Sequence, residues 1–449
     1  MPLDTAFPHP GRLRQIDAAA RALHASRAWT SYSPESLAQA AWRAAQLGPA
    51  PLSGLAVSVK DLIDAQGWPT SSGSSTPRQD LPVASHDSHF VALWRRAGAW
   101  IVGKTHLNEH AYGLTGENPW WGDCTLPGDP SRLTGGSSSG AAASVLGGAA
   151  DVGLGTDTGG SLRVPASLCG LASLRAPGWF PSHVGVQPLA PTFDALGWIS
   201  RDVESLALAA TPWMPSHASA QPPEGLQLAV LDGPLLEPCD ADVRKAWARL
   251  PEAIPASLAG VLRDECPGLS DATARFAPLQ ALEAWRVHAA TLESRPDAFG
   301  PAVRQRLEWG RSLARDEPRL RADALAFRSR MRAGLGPMRI LAMPACAVSR
   351  LRTGDDHAPV RARILALTTP ASLGGLPVLT QPLPWAEPSR PVGVQWIASP
   401  GGEALLVRWA SWLARSWDAS RSGQHGQNAT SAMANPADAS RAPGPSWIP

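Results

Sequence analysis

The stretch GTDTGGSLRVPASLCG, residues 155–170, combines closely spaced glycines with hydroxyl side chains, one aspartate and one arginine. It is too polar and too rich in glycine for an ordinary core strand, and its residue pattern is not that of a linker. Gly159 and Gly160 permit a backbone in which successive N–H groups turn toward one point. The stretch therefore predicts a tight turn that presents N–H donors beside Ser161.

A second Ser/Gly-rich run and a rare lysine complete a candidate reaction centre. The run is GGSSSG (135–140), and lysine occurs only at Lys60, Lys104 and Lys245. Hydrolysis of an amide needs a nucleophile, a base and donors for the developing oxyanion. A lysine can serve as the base if burial lowers its pKa. Lys60 ends the apolar run AVSVK, where a solvated strand edge is the alternative environment, and loops around Ser137 and Ser161 are candidates to converge on it.

Three other chemistries explain fewer residues. GGSSSG contains GxSxG, which would make Ser138 the nucleophile of a strand–turn–helix elbow, but PGDPSRLT (127–134) is a poor strand. His106 and His110 have the i, i+4 spacing of helical metal ligands, with Glu109 nearby, although solvated or capped helix histidines fit this spacing better. GTDTGGS resembles a phosphate-binding nest, but it lacks the GxxxxGK[ST] pattern.

Composition bounds the class of protein. The 449 residues are 44% hydrophobic and 17% charged, with a formal net charge of +2. These values describe a globular protein with a substantial core, and they give no reason to expect nucleic acid or membrane as a partner. Five cysteines without CxxC spacing favour free thiols and a cytoplasmic location. The N-terminus has no apolar signal segment, and no run suits a membrane span.

Hydrophobic periodicity predicts an α/β protein in which strands alternate with helices. Helix is expected over 12–47, 88–100 and most of 240–335, and strand in 54–64, at 100–102, over 226–232 and over 338–345. Residues 143–155 are expected to form a helix and then a strand. After residue 418 the composition becomes polar and rich in Ser, Ala, Pro and Gly, which predicts a disordered tail.

Several long motifs, in order, resemble the amidase signature family. They are GLAVSVKDLID (54–64), GAWIVGKTHLNEHAYG (98–113), GGSSSGAAASVLGGAADVGLGTDTGGSLRVPASLCGL (135–171), LTTPASLGGLPVLTQPL (367–383) and PVGVQWIA (391–398). The resemblance covers roughly residues 50–415. Two further runs, YGLTGENPWWG (112–122) and LAPTFDALGWISRD (189–202), resemble the subgroup of indole-3-acetamide hydrolases and general amidases. That subgroup also contains a chloroplast import receptor whose amidase-like domain lacks the catalytic set.

The resemblance implies a Ser–cisSer–Lys triad. Ser161 matches the nucleophile, Ser137 matches the bridging serine that follows a cis bond to Gly136, and Lys60 matches the base. The expected donors of the oxyanion hole are the backbone N–H groups of Thr158, Gly159, Gly160 and Ser161. The expected supports of the site are Gly136, Ser138, Asp157 and Arg163, and Lys104 matches a structural position.

The implied fold is an amidase signature fold, an α/β/α sandwich around a large, mixed, twisted sheet of about eleven strands. One domain is expected over residues 1–417, with a core at 50–205 and 338–415 and a more variable helical substrate cap at 206–337. The disordered tail would occupy 418–449. ASLRAPGWF (172–180) and ILAMPACAV (340–348) depart from the usual family pattern. We expect both departures to affect the substrate-binding part more than the triad.

The expected reaction is cleavage of the C–N bond of small apolar or aryl carboxamides through an acyl-enzyme. Anilides, carbamates (urethanes) and esters present the same carbonyl carbon. Trp120, Trp121 and Phe193 are the candidates to line an apolar acyl pocket, although some are equally candidates for plain core. The alternatives are the glutaminase (A) subunit of a tRNA-dependent amidotransferase and a non-catalytic peptide-binding scaffold. No cofactor or metal is expected; the partners are the amide and water, and the protein is a monomer or homodimer.

Overall fold

The computed structural model describes residues 10–180, 182–214, 223–254, 261–264 and 269–432. The strands in this part of the chain are β1 (Trp29–Tyr32), β2 (Ala56–Lys60), β3 (Trp100–Thr105), β4 (Thr125–Leu126), β5 (Asp129–Leu133), β6 (Val152–Thr156), β7 (Ala172–Arg175), β8 (Leu196–Ser200), β9 (Gln227–Leu231), β10 (Val261–Asp264), β11 (Arg339–Pro344), β12 (Leu351–Arg352), β13 (Val378–Pro382) and β14 (Gly393–Ile397).

The α-helices over the same ranges are α1 (Pro10–Ala22), α2 (Pro34–Gln46), α3 (His89–Arg96), α4 (Ser139–Leu146), α5 (Arg163–Cys169), α6 (Val203–Ala209), α7 (Ala241–Ala248), α8 (Ala272–Ser294), α9 (Pro301–Ser312), α10 (Glu317–Leu335), α11 (Ala358–Gly374) and α12 (Glu403–Ala432).

Eleven of the described strands form one sheet in the order β1-β3-β2-β6-β8-β7-β13-β14-β11-β9-β10. The pairs β2–β3, β2–β6, β9–β11 and β9–β10 are parallel, and the other pairs of this sheet are antiparallel. The central strands β2, β6 and β8 are buried at every residue. The predicted large mixed sheet is therefore confirmed.

Neighbouring residues of β8 show that helices cover both faces of the sheet. Ile199 packs with α4 and α5 residues such as Ala141 and Ala166. Trp198 points into the larger core, where its ring lies 5.5 Å from that of Trp94. Helix α6 contacts β8, and α12 packs on α6. Because adjacent strand residues face opposite ways, the two clusters are the two outer layers of an α/β/α sandwich.

Three predicted boundaries are wrong. The helix expected over 12–47 is interrupted by β1, which pairs with β3 at the sheet edge, and α2 restarts behind the Ser33 cap. The expected cap at 206–337 is only partly a cap, because β9 and β10 within it join the main sheet. The tail expected from residue 418 is helical as far as Ala432; the rest of it lies outside the described residues.

The helical layer made by α8, α9 and α10 is the part of the cap segment that reaches the site. Helix α8 packs against α9, α10 and α11. Phe276 of α8 is fully buried, and its ring lies 4.7 Å from the ring of Phe193. The cap is thus joined to the core by apolar packing beside the glycine-rich turn.

Replacement of Trp198 tests the sandwich core. Trp198→Ala removes a fully buried ring, and we expect the free energy of unfolding to fall by about 3–5 kcal/mol. The matched control is Trp42→Ala, whose side chain is 63% exposed, and its effect should stay within about 0.5 kcal/mol. Denaturant unfolding followed by fluorescence measures both. Equal losses for the two variants would contradict the assignment of Trp198 to the core.

Candidate active site

Two adjacent parallel strands bring the first polar groups of the site together. β2 and β6 pair in parallel register, with Val59 opposite Leu154, and they end at Lys60 and Thr156. Because the carboxyl ends of parallel strands lie at the same edge of a sheet, these two residues meet there. Lys60 Nζ lies 2.9 Å from Thr156 Oγ1.

Lys60 is the centre of the site. Its side chain is fully buried, and Nζ lies 2.7 Å from Ser137 Oγ. Burial lowers the pKa of Lys60 from 10.5 to about 7, although the charges of Asp157 and Asp194 oppose this change. The solvated-edge alternative is therefore wrong. A lysine with this pKa is substantially neutral at neutral pH and can accept a proton.

The Ser/Gly loop that carries Ser137 is fixed by its backbone. The bond between Gly136 and Ser137 is cis, as the resemblance implies. A Cβ atom at Gly136 would collide with Asn108 Oδ1, so glycine is required there. The N–H of Ser138 donates to the carbonyl of Ser161 at 3.1 Å. This bond ties the two predicted loops together beside Lys60.

Ser138 itself supports the loop. Its hydroxyl donates to the carbonyl oxygen of Thr156 at 3.2 Å. The prediction that 127–134 is a poor strand is wrong, because β5 lies there, but β5 belongs to a separate three-stranded sheet and ends at Leu133, before the loop that carries Ser138. The two histidines also have structural partners: His106 Nε2 lies 2.7 Å from the Gly122 carbonyl, and His110 packs on the ring of His288 at 4.4 Å.

A buried ion pair shapes the glycine-rich turn. Arg163 Nη2 lies 2.8 Å from Asp157 Oδ1, and both side chains are fully buried. Asp157 also accepts from the N–H groups of Gly160 at 2.9 Å and Leu162 at 3.1 Å. Burial alone would raise the pKa of Asp157, but the charges of Arg163 and Arg175 hold it well below its usual range. Asp157 and Arg163 thus lie at the turn and brace it through these contacts.

Residues far along the chain complete this support. The Arg163 guanidinium donates to the Thr368 carbonyl at 2.7 Å and to Gln395 Oε1 at 2.9 Å. Thr368 Oγ1 donates to the Gly159 carbonyl at 2.6 Å. Arg175 Nη1 donates to the Asp157 carbonyl. Arg175 lies inside the divergent segment 172–180, so this segment contacts the glycine-rich turn.

The expected oxyanion hole needs one correction. The N–H of Gly160 is directed to Asp157 Oδ1, so it cannot also serve an oxyanion. The N–H groups of Thr158, Gly159 and Ser161 donate to no acceptor within the described residues. Gly160 has a φ of +124°, which favours glycine. The turn therefore offers three donors, and Gly160 contributes conformation.

A cavity of about 190 Å³ lies beside this turn, and we call it the threonine cavity. Its polar lining residues are Thr156, Thr158, His183, Gln187 and Asp194, and Asp194 accepts from Thr158 Oγ1 at 2.6 Å. The rest is largely apolar, and the contributing side chains include Leu62, Ala111, Val186, Leu189 and Leu196. The threonine cavity gives an apolar group room next to Lys60 and its partners.

The three aromatic residues predicted for the acyl pocket do not line the threonine cavity. Phe193 is fully buried in the core against Phe276. Trp120 is 42% exposed, and its indole N–H donates to Glu109 at 2.8 Å. The indole N–H of Trp121 donates to the Ser74 carbonyl at 3.0 Å. The sequence shows where aromatic residues occur, but it does not show whether their side chains line a cavity, lie in the core or face solvent.

The apolar groups nearest the turn come from elements that the sequence did not connect with it. A Cβ atom on Gly159 would lie 3.3 Å from Phe276 Cζ and 3.5 Å from Leu365 Cδ2. Phe276 belongs to α8 and Leu365 to α11, both distant in sequence from the motif. The sequence signal that could have found Leu365 is its position just before the LTTPASLGG motif.

The buried ion pair between Lys104 and Asp61 supports the β2–β3 edge. Lys104 Nζ lies 2.7 Å from Asp61 Oδ1, and it also donates to the Pro69 carbonyl at 3.1 Å. These contacts give Lys104 a structural role. This assignment leaves Lys60 as the buried lysine that adjoins the two serine loops.

Comparison with known proteins places the fold and these motifs in one family. The amidase family model matches residues 12–407, and the chain belongs to the amidase family. It is 32% identical to the 1-carboxybiuret hydrolase subunit AtzE of Pseudomonas sp. (strain ADP), over 80% of this chain and 83% of that protein. It is 31% identical to a glutamyl-tRNA(Gln) amidotransferase subunit of Methanospirillum hungatei JF-1, over 78% and 90% of the two chains.

A solved structure agrees with this assignment. The crystal structure of an amidase superposes with a TM-score of 0.80 at 31% identity, and the match covers 90% of this chain and 95% of that one. The protein is thus an amidase that acts on C–N amide bonds. Over the described residues, no helix has the length and hydropathy to cross a membrane.

The buried lysine makes stability depend on pH in a defined window. The unfolded chain binds the Lys60 proton up to about pH 10.5, whereas the folded chain releases it near pH 7. We expect the free energy of unfolding of the wild type, relative to Lys60→Met, to be lowest below pH 7 and to rise as pH rises from about 7 to about 10.5.

Urea unfolding of both proteins at a series of pH values measures this difference. Lys245→Met is the matched control, because that lysine is an exposed residue of helix α7 outside the site. If the difference in the free energy of unfolding between the wild type and Lys60→Met stayed constant between about pH 7 and pH 10.5, this result would contradict the low pKa of Lys60.

Proposed function

We propose that the protein hydrolyses amides through Ser161, Ser137 and Lys60. The observation that carries the proposal is that the fully buried Lys60 Nζ lies 2.7 Å from Ser137 Oγ. Ser137 belongs to a loop in which the next residue, Ser138, donates its N–H to the Ser161 carbonyl. A lysine in water would stay protonated at pH 7 and would not act as a base. Burial supplies the neutral amine that the reaction requires.

In the first step the Ser161 hydroxyl oxygen attacks the carbonyl carbon. Its proton passes to the Ser137 hydroxyl as that group gives its own proton to neutral Lys60. The carbonyl oxygen becomes an oxyanion, which the N–H groups of Thr158, Gly159 and Ser161 stabilise. Donors fixed in advance are effective because they need no reorganisation as charge develops.

In the second step the C–N bond breaks. The Lys60 ammonium returns its proton through Ser137 to the departing nitrogen, and the product amine leaves an acyl group on Ser161. Water then attacks this ester with Lys60 again acting as base through Ser137. The carboxylic acid is released and Ser161 regains its proton, so the site returns to its starting state.

The substrate class that we propose is a small carboxamide with an apolar acyl or aryl group. The apolar part of the threonine cavity beside Thr156 and Thr158 supports this proposal. Phe276 and Leu365, next to Gly159, extend the apolar surroundings of the turn. Anilides, carbamates and esters have the same electrophilic carbonyl carbon. The proposal therefore includes their hydrolysis by the same mechanism.

The two alternatives from the sequence, a glutaminase subunit and a non-catalytic peptide-binding scaffold, remain predictions. Relatives include an amidotransferase subunit as well as a hydrolase subunit, so family membership does not choose between these roles. A non-catalytic scaffold would not form a covalent adduct at Ser161. A glutaminase would release ammonia from glutamine in preference to an apolar amide.

A cytoplasmic location fits the free thiols of Cys124, Cys169, Cys239 and Cys346; Cys266 lies outside the described residues.

Covalent labelling tests the nucleophile. A fluorophosphonate probe should add one adduct to the wild type and none to Ser161→Ala, measured by intact mass. Labelling should accelerate as pH rises through about 7, because Lys60 loses its proton there. Ser138→Ala is the matched control and should still be labelled, since its hydroxyl donates to the Thr156 carbonyl. Labelling of Ser161→Ala would refute the assignment.

Narrowing the threonine cavity tests the substrate class. Val186 lines this cavity, and Val186→Phe should lower the ratio of kcat/KM for phenylacetamide to that for acetamide by about tenfold or more. Val184→Phe is the matched control, because Val184 is 74% exposed two residues away. Steady-state ammonia release measures both ratios. An unchanged ratio in Val186→Phe would show that the acyl group lies elsewhere.

A further inference from the structure

The segment 189–195, which we call the aspartate loop, lies against the glycine-rich turn. The N–H of Asp157 donates to the Ala195 carbonyl at 2.8 Å. One residue further along the turn, Thr158 Oγ1 donates to Asp194 Oδ1 at 2.6 Å. The proposed reaction uses the backbone N–H of Thr158, but it gives no task to the Thr158 hydroxyl or to the Asp194 carboxylate.

A buried arginine strengthens the contact between the aspartate loop and the turn. The Arg175 guanidinium donates to the Asp157 carbonyl, and it also donates to the Phe193 carbonyl at 3.2 Å. The Phe193 ring packs at 4.7 Å from the ring of Phe276 in helix α8. The residue that precedes Asp194 is therefore fixed both by hydrogen bonds and by apolar packing.

The Asp194 carboxylate is held by its own loop. Oδ2 accepts from the N–H groups of Leu189 at 2.9 Å and Ala190 at 3.1 Å, and Oδ1 accepts from the Ala190 N–H at 3.2 Å. These bonds fix the carboxylate independently of the turn. The 2.6 Å distance to Thr158 Oγ1 is typical of a hydroxyl that donates to an ionised carboxylate, which is a strong hydrogen bond.

The helical cap holds the aspartate loop from its other side. Thr192 donates its N–H to Glu283 Oε2 at 2.9 Å and its hydroxyl to Glu283 Oε1 at 2.5 Å. Glu283 is a buried residue of helix α8, and Arg321 of helix α10 donates to it at 2.9 Å. Arg328 donates to the Thr192 carbonyl at 3.2 Å. Asp194 thus belongs to a rigid support that includes the cap.

Thr158 begins the series of proposed oxyanion donors. Its backbone N–H donates to no acceptor within the described residues. Gly159 and Gly160 follow it, and glycine restricts the backbone dihedral angles least of all residues. The end of the series is held because the Gly160 N–H donates to Asp157. The bond from the Thr158 hydroxyl to Asp194 holds its start.

We propose that Asp194 is a positioning residue, which holds the Thr158 hydroxyl so that the Thr158 N–H stays in place for the oxyanion. The inference rests on the function proposed above, and it assigns the orientation of one donor to a residue outside the glycine-rich turn. Asp194 contacts no reacting atom in this role. A donor is most effective when its direction is fixed before charge develops, because no reorganisation is then needed during the reaction.

Replacement of the Thr158 side chain tests this tether without removing the donor. Thr158→Val keeps the backbone N–H and the shape of the side chain but loses the hydroxyl. We expect kcat for phenylacetamide to fall by about tenfold or more with little change in KM, because a misplaced donor weakens binding of the transition state and not of the substrate. Thr158→Ser keeps the hydroxyl and should recover most of the wild-type kcat. Steady-state ammonia release measures these values.

A matched control and a second variant complete the kinetic test. Thr353→Val is the control, because the exposed Thr353 donates its hydroxyl to the Pro130 carbonyl at 2.9 Å away from the site. Asp194→Asn should also lower kcat, since an amide has only one acceptor oxygen. The double variant with Thr158→Val should be no slower than the slower single variant, because both changes remove the same interaction. Thr158→Val alone decides the test if Asp194→Asn does not fold.

The pH profile of kcat/KM distinguishes a lost tether from a loosened site. Burial lowers the pKa of Lys60 to about 7, so entry of water into a loosened site would move the midpoint to higher pH. Thr158→Val should keep the wild-type midpoint. Asp194→Asn should move it to lower pH, because the charge of Asp194 favours protonated Lys60. Both variants retain the neighbouring charged or titratable groups, which include Asp157, Arg163, Arg175, His183 and Arg328.

Labelling of Ser161 separates this inference from the mechanism on which it rests. If the fluorophosphonate probe labels the wild type and Thr158→Val retains the wild-type kcat, the role of Asp194 is overturned and the mechanism stands. A loss of kcat in Thr158→Val that Thr158→Ser shares in full would also overturn this role, because the hydroxyl would then not be responsible. Absence of labelling in the wild type would refute the mechanism and the role of Asp194 together.

Discussion

The buried pair between Asp157 and Arg163 is the interaction on which the rest of the site depends. Two opposite charges without solvent exposure are tolerable only when their hydrogen bonds are satisfied. Asp157 meets this condition by accepting backbone N–H groups of the turn and of the start of α5. Arg163 meets it by bonding to Thr368 and Gln395. The electrostatic requirement thus locks the turn and joins strands and helices that are far apart in sequence.

The charge of Asp157 also influences the pKa of Lys60, the proposed base. Asp157 is among the groups that oppose the loss of the Lys60 proton, whereas burial favours that loss. The two effects leave the pKa of Lys60 near 7, within the range where a lysine can both accept and return a proton. A site of this kind is unfavourable for stability below that pH, since an ammonium group is then held without water. Reactivity and stability therefore make opposite demands on Lys60.

In the proposed function, substrate selection depends on helical residues outside the serine and lysine motifs. Phe276 of α8 and Leu365 of α11 surround Gly159 with apolar groups. These elements pack together through α8 and α11. In the proposed function, the strands and loops beneath act on the carbonyl group, and the apolar residues of the helices above contact the acyl group.

Hydrophobic periodicity predicted the α/β class, and the family resemblance predicted the large mixed sheet and pointed to Lys60, the two serine loops, Asp157 and Arg163. Neither the periodicity nor the resemblance could predict that Gly160 gives its N–H to Asp157, that Phe193 belongs to the core, or that Arg175 and Thr368 hold the turn. The physical reason is that local spacing fixes backbone conformation, whereas hydrogen-bond partners and burial arise from residues brought together from distant parts of the chain.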